Sequence, residues 1–335
     1  MVTLSLPARA ATLAAVALLV ACKDSNAPPD PNRIASVFVG TQVDSATLRD
    51  QGEFVLSLVP VNGRGEVVFE NITITPAVTG AGPAAALDGA PQIVPADPRP
   101  VAAAINLDNS LSMRTSDPQR QRVAAAKQFW TALLGADPRN EIALLSFGVS
   151  TPSEGFSATR LLQDWTTNPE LLASVLDTMG TGPGSPLYRS SRETVGWMDS
   201  TRSAGDRRIL VLFTDALPDD PTLEPSLLEL AQSSGVTIHA VGLGPASDQS
   251  PASRDSAVAR LARLADATGG VYAGAPTAGA LPLLFSALAS VSSRGALLAT
   301  VQLSPVPPPG TVVNGTVSVA NFAGAATGRW TVTVK

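Results

Sequence analysis

The run from Val101 to Leu107 carries no charge and ends in a carboxylate, Asp108. Such a run suits a strand buried on both faces, which is the condition of a parallel sheet covered by helices. Asn109, Ser110, Leu111 and Ser112 follow, and then Asp117-Pro118, which reads as a helix N-cap with proline at the first helical position. The order strand, polar loop, helix places Asp108, Ser110 and Ser112 at the carboxyl end of the strand, where open α/β sheets bind ligands. Side chains at alternate positions of an extended turn can converge on one point. A carboxylate with two hydroxyls makes a hard oxygen set, suited to Mg²⁺, Mn²⁺ or Ca²⁺ rather than zinc. The pattern is short and recurs by chance, so the plain alternative is a polar strand-to-helix loop.

Two further stretches sharpen that reading. Ile209 to Asp215 is a second uncharged strand ending in a carboxylate, and Gly182-Pro183-Gly184-Ser185-Pro186-Leu187-Tyr188 is a glycine-rich loop with a hydroxyl that opens a helix. Together the three stretches resemble the von Willebrand factor type A domain and its metal-ion-dependent adhesion site. The resemblance covers roughly residues 98 to 293 and places the metal set on Asp108, Ser110, Ser112, Ser185 and Asp215. Ser185 stands where the family has threonine, which keeps the hydroxyl. Ala216 stands where the family has glycine, which would strain a turn that needs positive φ. The resemblance implies that Ser110, Ser112 and Ser185 hold the cation directly, while Asp108 and Asp215 act partly through water. A sixth position is then left for an acidic side chain of a protein partner.

The expected fold class is α/β, a doubly wound and mostly parallel sheet flanked by β segments. Within residues 98–293 strand and helix alternate. The Asp108 strand is the first, and the Asp215 strand the fourth if Ala158 to Leu162 forms a short edge strand. In the order 3-2-1-4-5-6, strands one and four are neighbours at the switch point, so both carboxylates flank one crevice. Residues 33–78 read as three or four strands, vaguely immunoglobulin-like, and 294–335 as three more. Four strands are few for a sandwich, which needs about seven. The flanks are therefore read as one sandwich into which the central unit is inserted, against the alternative of two independent β units. Residues 79–97 are an alanine-, glycine- and proline-rich linker.

Residues 1–21 look like a targeting segment: Arg9 is followed by an apolar run, Ala10 to Val20, too short to span a bilayer. Leu19-Val20-Ala21-Cys22 resembles the bacterial lipobox, which implies cleavage before Cys22 and lipidation of its sulfur. The alternative is an ordinary signal peptide with an incidental cysteine. Cys22 is the only cysteine in the chain, so no intrachain disulfide can form. Residues 22–32, with three prolines, read as a tether. The expected location is the bacterial cell envelope, with the protein lipid-anchored at a membrane and, in a Gram-negative cell, on the outer membrane or facing the periplasm.

A formal charge of −5 gives no basic surface for nucleic acid. The single histidine, His239, lies inside the strand Val236 to Val241, and Cys22 is assigned to the anchor, so Ser-His-Asp and Cys-His machinery is not expected. The chain is read as a binding protein and not an enzyme. The second reading is a structural or assembly module of the envelope without a functional metal site, and the third a metal-dependent hydrolase. Asp219 and Asp220 are read as a solvated loop. Trp130, Trp165, Trp197 and Trp330 are scattered along the chain and give no sign of a stacking platform.

Overall fold

The computed structural model describes residues 31–334, apart from Asp44, Ala96, 248–256 and Pro276. The targeting segment, Cys22 and most of the tether lie outside the described residues. Among the described residues no helix is long and apolar enough to cross a membrane.

The chain enters through β1 (Ile34–Gln42), a short helix α1 (Ser45–Gln51) and β2 (Glu53–Asn62). Helix α1 lies in a stretch whose sequence reads as β throughout; it spans the turn between two antiparallel strands and buries Leu48. Val67 makes only a bridge to Val61, and the next continuous strand is β3 (Thr73–Val78). The linker is not loose: it carries β4 (Ala84–Leu87) and β5 (Gln92–Val94). Alternation there is built from alanine and proline-bounded fragments, too weakly apolar to stand out.

The central unit follows with β6 (Val101–Asp108), a single turn α2 (Met113–Ser116), α3 (Gln121–Ala136), β7 (Glu141–Phe147) and β8 (Thr159–Thr166). It continues with α4 (Pro169–Val175), α5 (Leu187–Thr201), β9 (Arg207–Thr214), α6 (Glu224–Ser233) and β10 (Val236–Leu243). It closes with α7 (Ala257–Ala267), β11 (Tyr272–Ala275) and α8 (Leu281–Arg294). Three strands complete the chain: β12 (Ala296–Ser304), β13 (Val312–Asn321) and β14 (Gly324–Thr333).

Helix α3 starts three residues later than Asp117-Pro118 indicates. Asp117 still caps it: Gln121 N–H donates to Oδ1 at 2.6 Å and Arg122 N–H to Oδ2 at 3.1 Å. Pro118 lies in the turn that this longer reach spans. Helix α3 runs through Gly135 and ends at Ala136. Helix α4 starts at Pro169, with the N-cap Asn168 Oδ1 accepting from Glu170 N–H at 2.8 Å.

The central sheet runs β11-β10-β9-β6-β7-β8, the doubly wound order, with β8 antiparallel at one edge and the rest parallel. Every residue of β6 is buried. Ala103, Ile105 and Leu107 face a core filled by α3, α4 and α8, while Ala104 faces the layer of α5, α6 and α7. Phe285 of α8 meets Phe129 of α3 edge-on at 6.3 Å, which locks two neighbouring helices on one face.

The flanking strands form two antiparallel sheets, and each takes strands from both ends of the chain. One runs β1-β2-β12-β4, with β5 also on β12, and the other runs β14-β13-β3. Leu56 and Leu58 of β2, Val301 of β12, and Val317 and Trp330 of the second sheet share one core. Gly315, which reads as part of a turn, sits mid-strand in β13 because Trp330 covers it. A Cβ there would fall 2.0 Å from the indole. Phe38, Val59 and Val61 bury against the central unit, and Ser290 of α8 donates to the Gly65 carbonyl at 3.1 Å. None of Asp108, Ser110, Ser112, Ser185 and Asp215 takes part in that contact.

His239 lies mid-strand in β10 and is buried. Its Nδ1 accepts the Val271 N–H at 3.0 Å. Burial, with a smaller push from the Arg207 charge, lowers its pKa from 6.5 to about 4. A depressed folded-state pKa contributes stability above pH 6.5 that is lost on acidification between about 6.5 and about 4. Each unit crossed costs up to ~1.4 kcal/mol. Urea melts at pH 7 and pH 4.5 should therefore show a smaller acid loss for His239→Gln than for the parent chain. Equal losses would mean that His239 titrates normally.

Candidate functional site

Strands β6 and β9 are parallel neighbours, with Leu107 opposite Phe213. Their carboxyl ends deliver Asp108 and Asp215 side by side. Asp108 is fully buried. Its Oδ1 accepts the Ser110 N–H at 2.8 Å, and its Oδ2 accepts the Thr214 hydroxyl at 2.6 Å and the Ser185 hydroxyl at 3.2 Å. Ser110 and Ser112 share a hydroxyl–hydroxyl bond of 2.9 Å, and Ser112 donates to Asp215 Oδ1 at 2.8 Å. Ser116 donates to Asp215 Oδ2. The structure thus joins all five sequence-derived residues in one hydrogen-bonded cluster.

Ser185 arrives on a loop that is tied down at several points. Gly182 bridges Ser110, and its N–H donates to the Gly148 carbonyl at 2.7 Å. Asp219 Oδ2 accepts the Ser185 N–H at 2.7 Å. Gly184 is needed there: its φ is +79°, and a Cβ would meet Asp219 Oδ2 at 2.7 Å. Asp220 accepts the Tyr188 and Arg189 N–H groups at 3.1 and 2.7 Å, capping the first turn of α5. Asp219 is exposed and Asp220 half-buried, so the loop is solvated as expected, but both carboxylates also have backbone partners. They hold the Ser185 loop and the start of α5, a role visible only once β9 is laid beside that helix.

Beneath the first loop lies a buried ion pair. Arg122 donates to Asp117 Oδ2 at 2.7 Å and to Asn109 Oδ1 at 2.7 Å, and Asn109 Nδ2 donates to the Gly180 carbonyl at 2.9 Å. Asn109, between the carboxylate and the first serine, thereby ties the Asp108 loop to α3 and to the Ser185 loop. Thr214 and Ser116 were missed in the sequence. Ser116 stands one helical turn after Ser112, so its spacing was a usable signal. Thr214 was not readable without the β6–β9 register. Ala216 has no positive φ, so the expected strain at that position is absent.

Burial pushes the Asp108 carboxyl above its ordinary pKa, and the nearby Asp215 charge adds to this. Bonds from Ser110 and Thr214 oppose it. Among the described residues neither carboxylate is paired with a basic side chain, and no group of three or more His, Cys, Asp or Glu is placed to hold a metal. The cluster is instead two carboxylates with serine hydroxyls, a hard oxygen set.

Residues 104–217 match the family model of the von Willebrand factor type A domain. The central unit has the von Willebrand factor A-like α/β fold, a mixed and mostly parallel sheet accompanied by antiparallel strands. A search of curated proteins finds no match. Among solved structures the chain is similar to a von Willebrand factor type A protein from Catenulispora acidiphila. That likeness has 13% identity, a TM-score of 0.44, and covers 90% of this chain and 70% of the other. It is also similar to the vWF domain of the type V pili tip protein Mfa5 from Porphyromonas gingivalis, at 15% identity and a TM-score of 0.43. There 58% of this chain and 95% of the other are covered. The pilus adhesin SpaC from Lactobacillus rhamnosus GG shares 11% identity with a TM-score of 0.46, covering 88% of this chain and 46% of that one.

Asp117→Ala removes a cap and leaves Arg122 charged and buried, which should cost about 3–5 kcal/mol in urea denaturation. Asp137→Ala, which breaks the exposed pair with Arg139, should leave the urea midpoint nearly unchanged. Comparable losses in the two variants would remove the supporting role assigned to Asp117.

Proposed function

We propose that the chain is a cell-envelope lipoprotein that binds a protein partner through a divalent cation at the Asp108 cluster. The observation that carries this reading is a pair of buried carboxylates, Asp108 and Asp215, joined through hydroxyls and without a basic partner among the described residues. Buried anionic oxygens are costly unless compensated, and a hard divalent cation supplies that compensation. In this reading Ser110, Ser112 and Ser185 hold Mg²⁺ directly, and Asp108 and Asp215 act partly through water. Mn²⁺ or Ca²⁺ would use the same oxygens. Few directly bound carboxylates leave the cation electrophilic, so a partner's Asp or Glu completes the coordination.

The match of residues 104–217 to the von Willebrand factor type A model supports an interaction or assembly role. Cys22, in its lipobox-like setting, is the proposed anchor. We read the protein as non-enzymatic, since its one histidine is mid-strand and engaged by backbone.

Calorimetric titration of Mg²⁺ and Mn²⁺ into protein lacking residues 1–22 should show one saturable site, lost in Asp108→Ala and in Ser112→Ala. Binding that survives both substitutions would reject the cluster as the site. A parent chain that binds no metal at millimolar concentration would point to an assembly module that works without a cation.

A further inference from the structure

We propose that the outer face of α5 is a second binding groove, for an extended peptide carrying an acidic and a basic side chain about three residues apart. Arg189, Arg192, Glu193, Gly196, Trp197 and Ser200 recur at helical three- and four-residue spacing and line two adjoining clefts of about 330 and 360 Å³. Both clefts are lined by Glu193, so they adjoin at that residue along the helix.

Its ends differ in charge. At the end nearer the Asp108 crevice, Arg189 and Arg192 pair with no carboxylate among the described residues, and Leu223 and Leu230 of the α6 side form the wall. At the other end stand the exposed carboxylate of Glu154 and the rings of Phe156 and Trp197. Glu193 is not available to a ligand. It accepts from Ser157 N–H and hydroxyl, Ala158 N–H and Thr159 hydroxyl, at 2.8, 2.5, 3.1 and 2.7 Å, and so pins the wall that carries Glu154. Trp197 is held rigid by Trp165, stacked on it at 4.9 Å and 5°, with Arg202 at 5.0 Å from the Trp165 ring. The scattered tryptophans of the sequence thus do include one stacked pair.

A guanidinium or ammonium group suits an aromatic wall beside a free carboxylate, and an acidic group suits two free arginines. Helical rise puts the two ends about 9 Å apart, and an extended chain covers that in about three residues. Gly196 lines the acidic end, one residue before Trp197. A Cβ at Gly196 would meet nothing within 4 Å, so a glycine that lowers helix propensity leaves the floor of the groove open.

The test uses the peptide Gly-Asp-Ala-Pro-Arg-Gly and the whole protein in EDTA, so that its outcome is separate from metal binding at Asp108. Nitrogen–proton correlation spectra follow the Gly196 amide and the Trp197 indole. Saturable shifts are expected, with affinity reduced about two- to five-fold in Arg192→Glu and in Glu154→Lys, the worth of one exposed ion pair. Gly196→Leu should fold at least as stably and abolish the shifts. The proposal is overturned by any of four results: no shifts in the parent chain; undiminished binding by Gly196→Leu; equal binding of the Asn/Gln analogue of the peptide; or shifts produced by chitotriose but not by the charged peptide.

Discussion

The pairing of β6 with β9 is the constraint on which the crevice depends. Two carboxylates at neighbouring strand ends repel each other, and nothing local would hold them together. They are held because the runs behind them, residues 102–107 and 209–213, are uncharged and buried on both faces. A one-residue slip would turn Ile105, Leu107, Val211 and Phe213 away from the layer they fill, so apolar burial fixes the register. The register then fixes where Asp108 and Asp215 emerge. Hydroxyls placed between the two acids relieve part of the repulsion through the Ser112 and Ser185 bonds. Packing thus sets the geometry of the polar site, and hydrogen bonding makes that geometry tolerable.

This division explains what could be read from the sequence. The doubly wound sheet, Asp108 and Asp215 were legible, because uncharged runs ending in carboxylates carry both the strand position and the polar terminus in one stretch; Ser185 joined the set through the family resemblance. The order of strands followed from the alternation of elements. Features that depend on contacts between distant stretches were not legible. Asp219 reads as loop until it is seen to receive the Ser185 N–H, and the Trp165–Trp197 stack joins residues on an edge strand and a helix. Boundaries failed where side chains reach across turns: Asp117 caps α3 from beyond Pro118 because the Arg122 pair draws its carboxylate inward. The strands of the linker failed for a simpler reason, since alanine-rich fragments lack the apolar contrast on which strand patterning rests.

Asn106 shows that β6 is not optimised for burial alone. It occupies a mid-strand position at zero exposure, donating to Ser190 at 2.8 Å and to Thr194 at 3.3 Å, while its Oδ1 has no hydrogen-bond partner among the described residues. An aliphatic residue would avoid that desolvation cost. What the amide supplies is position. Thr159 donates its hydroxyl to Glu193 at 2.7 Å, and its oxygen lies 2.8 Å from Ser190 Oγ, which therefore donates to it. The network ties β6, the edge strand β8 and α5 together two residues before Asp108, which limits how far α5 can slide along the sheet.

That limit matters because α5 serves two surfaces. Its first turn, capped by Asp220, carries the loop that presents Ser185 to Asp108. Its outer face carries the groove from Arg189 to Ser200. A shift of the helix along its axis would lengthen the Ser185–Asp108 bond and move Trp197 against Trp165 at once. The flanking sheets reach the central unit along α8, through Ser290 and Gly65, and at the end of α7, where Asp266 accepts from Thr41. Docking the flanks there leaves both the crevice and the groove clear. One helix, fixed by one buried network, therefore sets the position of both.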